Sequence, residues 1–223
     1  MLYLAATPIG NLEDLTLRII RVFKEADLVL AEDTRKTGLL LHHLGLKKSL
    51  MSFFDHNETQ KTPQIVAELK QGKNIVLVTD AGAPTISDPG YKLVRACRQE
   101  NIPVTALPGP SSVITALALT GIPHDKFVFL GYLPRKDGER ARLLESLKEF
   151  PGAAVFFESP YRLVKSLESV KEVLGNIKVA VCRELTKKFE EVIEHPVEQV
   201  IAHFQSQAPK GEITVVADLK RKD

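Results

Sequence analysis

Cysteine is scarce in this chain: Cys97 and Cys182 are the only two in 223 residues. They lie far apart, each among apolar neighbours. A disulfide framework or a thiolate zinc site is therefore not expected, and both read as buried free thiols of a cytoplasmic protein. Long hydrophobic runs are missing as well. No stretch approaches the roughly 20 apolar residues of a bilayer span. The start, Met1 to Ala5, lacks the charged n-region and long apolar core of a secretory leader. No membrane partner is expected. Nor does charge of one sign dominate. Thirty Lys and Arg against 28 Asp and Glu leave a formal net charge of +2. No global field announces a nucleic-acid partner, although a local basic patch would suffice for one.

Several chemical signatures are absent too. No Gly-x-Gly-x-x-Gly follows the first predicted strand, and no Gly-x-x-x-x-Gly-Lys-Ser/Thr occurs anywhere, so the dinucleotide and P-loop readings fall. No Gly-x-Ser-x-Gly elbow is present. The six histidines show no metal-ligand spacing, and the neighbours His42 and His43 point to different faces of a helix. No metal is expected.

What is present is a soluble composition, 44% hydrophobic and 26% charged, enough for one large or two small domains. The chain is organised around Ile75 to Gly90. Ile75-Val76-Leu77-Val78 is a short apolar run, the pattern of a strand buried on both faces. It enters a loop with two glycines, two prolines, Asp80, Ser87 and Asp88. Tyr91 to Glu100 follows as a helix. Such a loop sits at the carboxyl end of a parallel strand, where ligands bind in open α/β sheets.

The same alternation runs through the first half. Predicted strands at Leu2–Ala6, Leu28–Ala31, Ser49–Phe54 and Val104–Leu107 each end in a polar or Gly/Pro-rich cluster. Thr16 or Asp14 is placed to cap the first helix, and Thr62-Pro63 to open the third. Five strands alternating with helices predict an open parallel five-stranded sheet over residues 1–121. Residues 122–126 read as a linker. Residues 127–223 form a second α/β unit whose short connections predict a mixed sheet, with a frayed tail at 220–223.

Thr7-Pro8-Ile9-Gly10-Asn11, Ala31-Glu32-Asp33-Thr34-Arg35, Asp80 to Gly90, Leu107-Pro108-Gly109-Pro110-Ser111 and Phe157-Glu158-Ser159-Pro160 occur in this order. Together they resemble the tetrapyrrole methylase superfamily, and within it the branch that acts on ribosomal RNA. The resemblance spans essentially the whole chain. It implies S-adenosylmethionine as methyl donor and 2′-O-methylation of a cytidine ribose in the decoding centre of small-subunit (16S) rRNA. It also implies a homodimer in which the second domain closes the cofactor and substrate cleft.

Site residues carry over by position. The superfamily's Gly-Asp-Pro loop corresponds to Gly82-Ala83-Pro84, so the acidic member is lost and that position would act through its backbone. Ile86 and Ser87 match positions near the methionine part of the cofactor. Pro108, Gly109, Ser111 and Ser112 match the loop on its adenosine side, and Pro8 the pocket floor. Phe157 and Thr214 fall where the superfamily packs the adenine.

A sulfonium methyl needs alignment above all, and a ribose hydroxyl needs help in losing its proton. Glu32, Asp33, His56 and Glu158 are the candidate bases. Each has a plainer role open to it: a helix cap for Glu32 or Asp33, a solvated turn for His56, a brace to Arg162 or Arg35 for Glu158. Arg35, Lys36, Arg162, Arg183, Lys187 and Lys188 are placed to meet RNA phosphates. Arg35 could equally pair with Asp33 or Glu58. Arg135, Lys136 and Arg140, in a charged helix start, read better as solvated surface. Methylation of a small tetrapyrrole and a non-catalytic ribosome-assembly role stand as competing readings.

Overall fold

The structure is a computed structural model and describes residues 1–220. It divides into two compact units, one ending at Ser111 and one beginning at Ser112.

The first unit holds β1 (Leu2–Ala5), α1 (Leu17–Glu25), β2 (Leu28–Ala31), α2 (Thr34–His43), β3 (Leu50–Ser52), α3 (Asp55–Lys70), β4 (Ile75–Val78), α4 (Tyr91–Gln99) and β5 (Val104–Leu107). The strands form one parallel sheet in the order β3-β2-β4-β1-β5. Alternation along the strands serves two layers at once. Leu28, Leu30, Ile75 and Leu77 pack with Ile65, Leu69, Leu93 and Cys97 of α3 and α4. Val29, Ala31, Val76 and Val78 pack with Ile19, Val22, Phe23 and Leu41 of α1 and α2. A strand covered on both faces reads as a continuous apolar run.

Right-handed crossovers put α1 and α2 on one face and α3 and α4 on the other. β1 and β4 are neighbours, yet their chains leave to opposite faces. A topological switch point therefore lies between their carboxyl ends.

Thr16 caps α1 as expected: its hydroxyl accepts from Ile19 N at 3.2 Å. The expected start of α3 at Thr62-Pro63 is corrected. The helix begins at Asp55 and carries Pro63 inside it. The Asn57 side chain accepts from Phe54 N at 2.9 Å and closes the first turn. Residues 55–61 are polar and show no apolar stripe, so the turn was invisible to periodicity.

The second unit holds α5 (Ser112–Leu119), β6 (Phe127–Tyr132), α6 (Asp137–Glu145), β7 (Ala153–Glu158), α7 (Leu163–Leu174), β8 (Lys178–Arg183), β9 (Glu191–Pro196), α8 (Val197–Ser206) and β10 (Ile213–Asp218). Its mixed sheet has the order β6-β7-β10-β8-β9, with only β6 and β7 parallel. Leu144, Leu163, Leu167, Val200 and Phe204 from α6, α7 and α8 cover one face. Helix α5 packs on β10, and this is why the division falls at Ser111–Ser112, ahead of the expected linker at 122–126.

Arg140 corrects the solvated reading given to it. It is buried, its guanidinium shared among Asp137 Oδ1 at 2.7 Å, Ser169 Oγ at 2.9 Å and Pro134 O at 3.2 Å. Both thiols are buried and free, and burial pushes Cys182 up to about 12. Of the expected frayed tail, residues 221–223 lie outside the described residues. Lys220 itself pairs with Asp125 at 2.7 Å.

One glycine is fixed by space as well as by conformation. Gly90, at φ +127°, opens α4, and a Cβ there would stand 2.6 Å from Leu77 Cδ2 and 3.0 Å from Thr85 Cγ2. Leu77 is fully buried, so it would have to shift within the packed core. Gly90→Ala is expected to cost about 2–3 kcal/mol, combining overpacking with a disfavoured φ. Urea unfolding of the variant beside the parent protein measures it.

Candidate functional site

At the switch point the loops after β1 and β4 are joined backbone to backbone. Thr7 N donates to Gly82 O at 2.9 Å, and Gly82 N returns the bond to Thr7 O at 2.9 Å. The Thr7 hydroxyl donates to Thr79 O at 3.0 Å. Gly82 has φ +79°, which a side chain would resist. The loop after β5 closes on the same place. A Cβ on Gly109 would lie 3.0 Å from Ala6 Cβ and 3.3 Å from Ile19 Cδ1, so close packing explains this glycine. The structure thus brings Pro8, Gly82 and Gly109 to one edge, with Ala83, Pro84, Pro108 and Ser111 adjoining in the chain.

The β4 loop is held tightly despite its strain. Thr85 and Ser87 sit at φ 74° and 62°, positions that cost a non-glycine residue. Thr85 N reaches Pro89 O at 3.3 Å. Ile86 and Ser87 keep exposed side chains. The far end is anchored by Glu58, which sequence reasoning did not place in the site. Its buried carboxylate accepts from Gly90 N at 3.1 Å and Lys92 N at 2.9 Å, capping α4 where Gly90 has no side chain to do so. Reading Asp55 to Lys70 as one helix would have exposed it as a lone buried acid.

Carboxylates crowd the rim between β2 and β4. Asp33 N donates to Asp80 Oδ1 at 3.1 Å, Asp80 N to Glu32 Oε2 at 3.3 Å, and Lys36 Nζ to Asp80 Oδ2 at 2.6 Å. Asp33 caps α2 by accepting from Arg35 N at 2.8 Å. It also receives the Arg35 fork, Nε at 3.0 Å and Nη2 at 2.6 Å. That guanidinium holds the Asp33 carboxyl well below the usual range. Arg35 therefore takes the pairing open to it with Asp33, although its side chain remains 88% exposed. Burial pushes Glu32 the other way, upward. Asp88 rises furthest, to about 7, through burial first and then the nearby Glu32 charge. The Thr79 hydroxyl lies close enough to favour the Asp88 anion somewhat, but forms no hydrogen bond. His56 is exposed and rests edge-on against Phe54, with ring centroids 6.2 Å apart.

In the second unit, Phe157 on β7 and Thr214 on β10 are direct antiparallel partners on one sheet face. The Phe157 ring meets Phe129 at 5.0 Å and Tyr132 at 5.6 Å, edge to face. Ser112 opens α5. Glu158 is a buried brace: it accepts from Ser159 N at 2.8 Å and from the Ser166 hydroxyl, with Arg162 Nη2 at 3.5 Å. Arg162 is committed further to Leu133 O at 2.7 Å and Pro134 O at 3.3 Å. Arg183 pairs with Glu191 at 2.9 Å, and Lys187 with Glu184 at 3.0 Å and Glu212 at 2.8 Å. Lys188 is exposed, its ammonium 5.6 Å from the centre of the Phe189 ring. Arg183 and Lys187 are half-buried in these pairs, and Arg162 is sunk into carbonyls and a buried carboxylate, so all three are committed within the unit.

The profile of the Tetrapyrrole (Corrin/Porphyrin) Methylases matches residues 1–201. The chain belongs to this family. Among its curated relatives, a Thermotoga maritima protein named ribosomal RNA small subunit methyltransferase I is 47% identical over 96% of this chain and 96% of its own length. An Escherichia coli O157:H7 protein of the same name is 45% identical over 97% of the chain and 77% of its own length. The fold recurs in the solved structure of a cobalt precorrin-4 methyltransferase, with TM-score 0.70 at 16% identity, covering 99% of this chain and 96% of that one.

In this methylase the raised Asp88 carboxyl is expected to make stability pH-dependent. Its folded-state value of about 7 lies above the ordinary aspartate value of about 3.9, so the folded protein binds that proton more tightly than the unfolded chain. The group's contribution is undiminished below the unfolded value and is lost as pH rises through the folded one. Asp88→Asn should accordingly gain stability relative to the parent between pH 5 and pH 8. Paired urea midpoints at these two pH values give the comparison.

Proposed function

We propose that this methylase transfers a methyl group from S-adenosylmethionine to the ribose 2′-hydroxyl of a cytidine in small-subunit 16S rRNA, acting in the cytoplasm as a homodimer. The reading rests on one observation above all: near-full-length identity of 45–47% to relatives bearing the small-subunit methyltransferase name. The solved tetrapyrrole enzyme shares the fold at 16% identity only, and a fold does not choose a substrate.

The residues at the switch point suit the donor. S-adenosylmethionine supplies a methyl already activated on a positively charged sulfur. The rim offers Glu32, Asp80 and Asp88, a set of acids that complements a cation. The Gly82 to Ser87 backbone and the Pro108-Gly109 turn, continuing to Ser111 and Ser112, would hold the cofactor, with Pro8 beneath. By the family resemblance, Phe157 and Thr214 of the second unit would pack adenine. Lys36, Arg35 and Lys188, exposed at the surface, would meet RNA phosphates.

The base is best sought among the rim acids. The Arg35 fork lowers the Asp33 carboxyl and makes it a weak base, while Glu158 is buried with its carboxylate engaged by Ser159 N, Ser166 and Arg162. Asp88, poised near neutrality beside Glu32, can accept the proton of the attacking ribose hydroxyl, and a catalytic base works best when its pKa lies near the working pH.

Incubation of the protein with S-adenosylmethionine and undermethylated small subunits, followed by mass analysis of the nucleosides, should yield 2′-O-methylcytidine. Its absence would remove the reading. The single-turnover rate should rise with pH through about 7. Asp88→Asn should lose that limb and about a hundredfold in rate, the scale of a missing general base. Sedimentation at micromolar concentration should show a species of twice the 24.7 kDa chain mass.

A further inference from the structure

Beside the switch point, on the α2 side, lies a recess in the first unit. It has a volume of about 250 Å³ and is lined by Thr7, Pro8, Leu12, Lys36, Thr37, Leu39, Leu40, Thr79 and Asp80. Its walls come from the β1 loop, the short 3₁₀ turn at Leu12–Asp14, α2 and the end of β4. Resting on the methyl transfer argued above, we propose that this cleft receives the base and ribose of the nucleotide to be methylated.

Three features carry the assignment. The first is apolar surface that the chain leaves uncovered. Leu12 is 44% exposed and Leu39 72%, on two different elements that line the same recess. A base drawn out of its stack needs apolar faces of this kind. The second is Thr79. It lines the recess where β4 ends, and its buried hydroxyl lies near the Asp88 carboxylate. A ribose seated in the recess would therefore approach the acid proposed as base. The third is the Lys36–Asp80 pair at 2.6 Å. A carboxylate accepts from a cytosine amino group, and an ammonium meets the flanking phosphate. The volume suits one nucleoside and no larger portion of a folded RNA.

The recess shares Pro8 and Asp80 with the cofactor edge, but its leucine walls at Leu12 and Leu39 lie outside the glycine turns assigned to the cofactor, so the two functions come apart under substitution of those walls. Leu39→Asp and Leu12→Asp place charge on exposed walls without disturbing the core. Each should slow single-turnover transfer to small subunits by about tenfold or more while S-adenosylmethionine affinity by calorimetry stays within about twofold. Leu17→Asp, on the exposed start of α1 outside the recess, should match the parent.

Binding is read independently of turnover. Cytidine 5′-monophosphate at millimolar concentration should shift the Leu12 and Leu39 methyl signals in the NMR spectrum of the whole protein. Absent shifts, parent-like transfer by both Asp variants, or a parallel loss of cofactor affinity would each overturn the cleft assignment. Shifts in a protein that methylates no rRNA would keep the cleft as a nucleotide site and remove the methyl-transfer reading instead.

Discussion

Two backbone hydrogen bonds between Thr7 and Gly82 tie the loop after β1 to the loop after β4. The chains beyond these loops run to opposite faces of the sheet, so nothing in the helical layers would otherwise hold them together. The bridge requires a backbone at Gly82 in the left-handed region, and a β5 turn flat enough at Gly109 to lie against Ala6. With the bridge made, the strained residues Thr85 and Ser87 become tolerable, because the loop that carries them is also fixed at its far end by Glu58. Local strain of order 1–3 kcal/mol per residue persists only where surrounding structure over-determines it.

The same convergence explains the rim's electrostatics. Parallel strands direct their carboxyl ends to one edge, so Glu32 after β2 shares a small volume with Asp80 and Asp88 after β4. Asp33 and Lys36 relieve part of that density, the first with Arg35 and the second with Asp80. Asp88 is lifted chiefly by its burial and then by the neighbouring Glu32 charge. Neighbouring acids with values pushed apart are what proton transfer at neutral pH requires, and their division here follows from burial at Glu32 and Asp88 and from the Arg35 fork at Asp33.

The second unit shows how far position alone can mislead. Glu158 and Arg162 sit at a strand end like the rim acids, yet they close on each other and on the carbonyls of Leu133 and Pro134. Arg140, in a run of charged residues, is buried for a similar reason: its three guanidinium nitrogens find hydroxyl, carbonyl and carboxylate partners within the unit. Charge in the sequence therefore marks neither exposure nor function until partners are known.

Much was legible from residues alone. Short β-branched runs ending in Gly, Pro and acid clusters determined the parallel first sheet, because a strand covered on both faces has a distinctive apolar continuity. The Gly/Pro motifs determined the family, and with it the identity of the candidate cofactor loops. Tertiary structure decided the rest, since each remaining feature depends on which distant groups meet. The helical start at Asp55 was hidden because its one buried residue, Glu58, is polar and has its partners more than thirty residues away, at Gly90 and Lys92. The division at Ser111–Ser112 follows from α5 packing on β10, a contact no local pattern announces. Which acid keeps its proton, and which leucines are left uncovered beside Thr79, are likewise properties of packed neighbours and not of any residue's type.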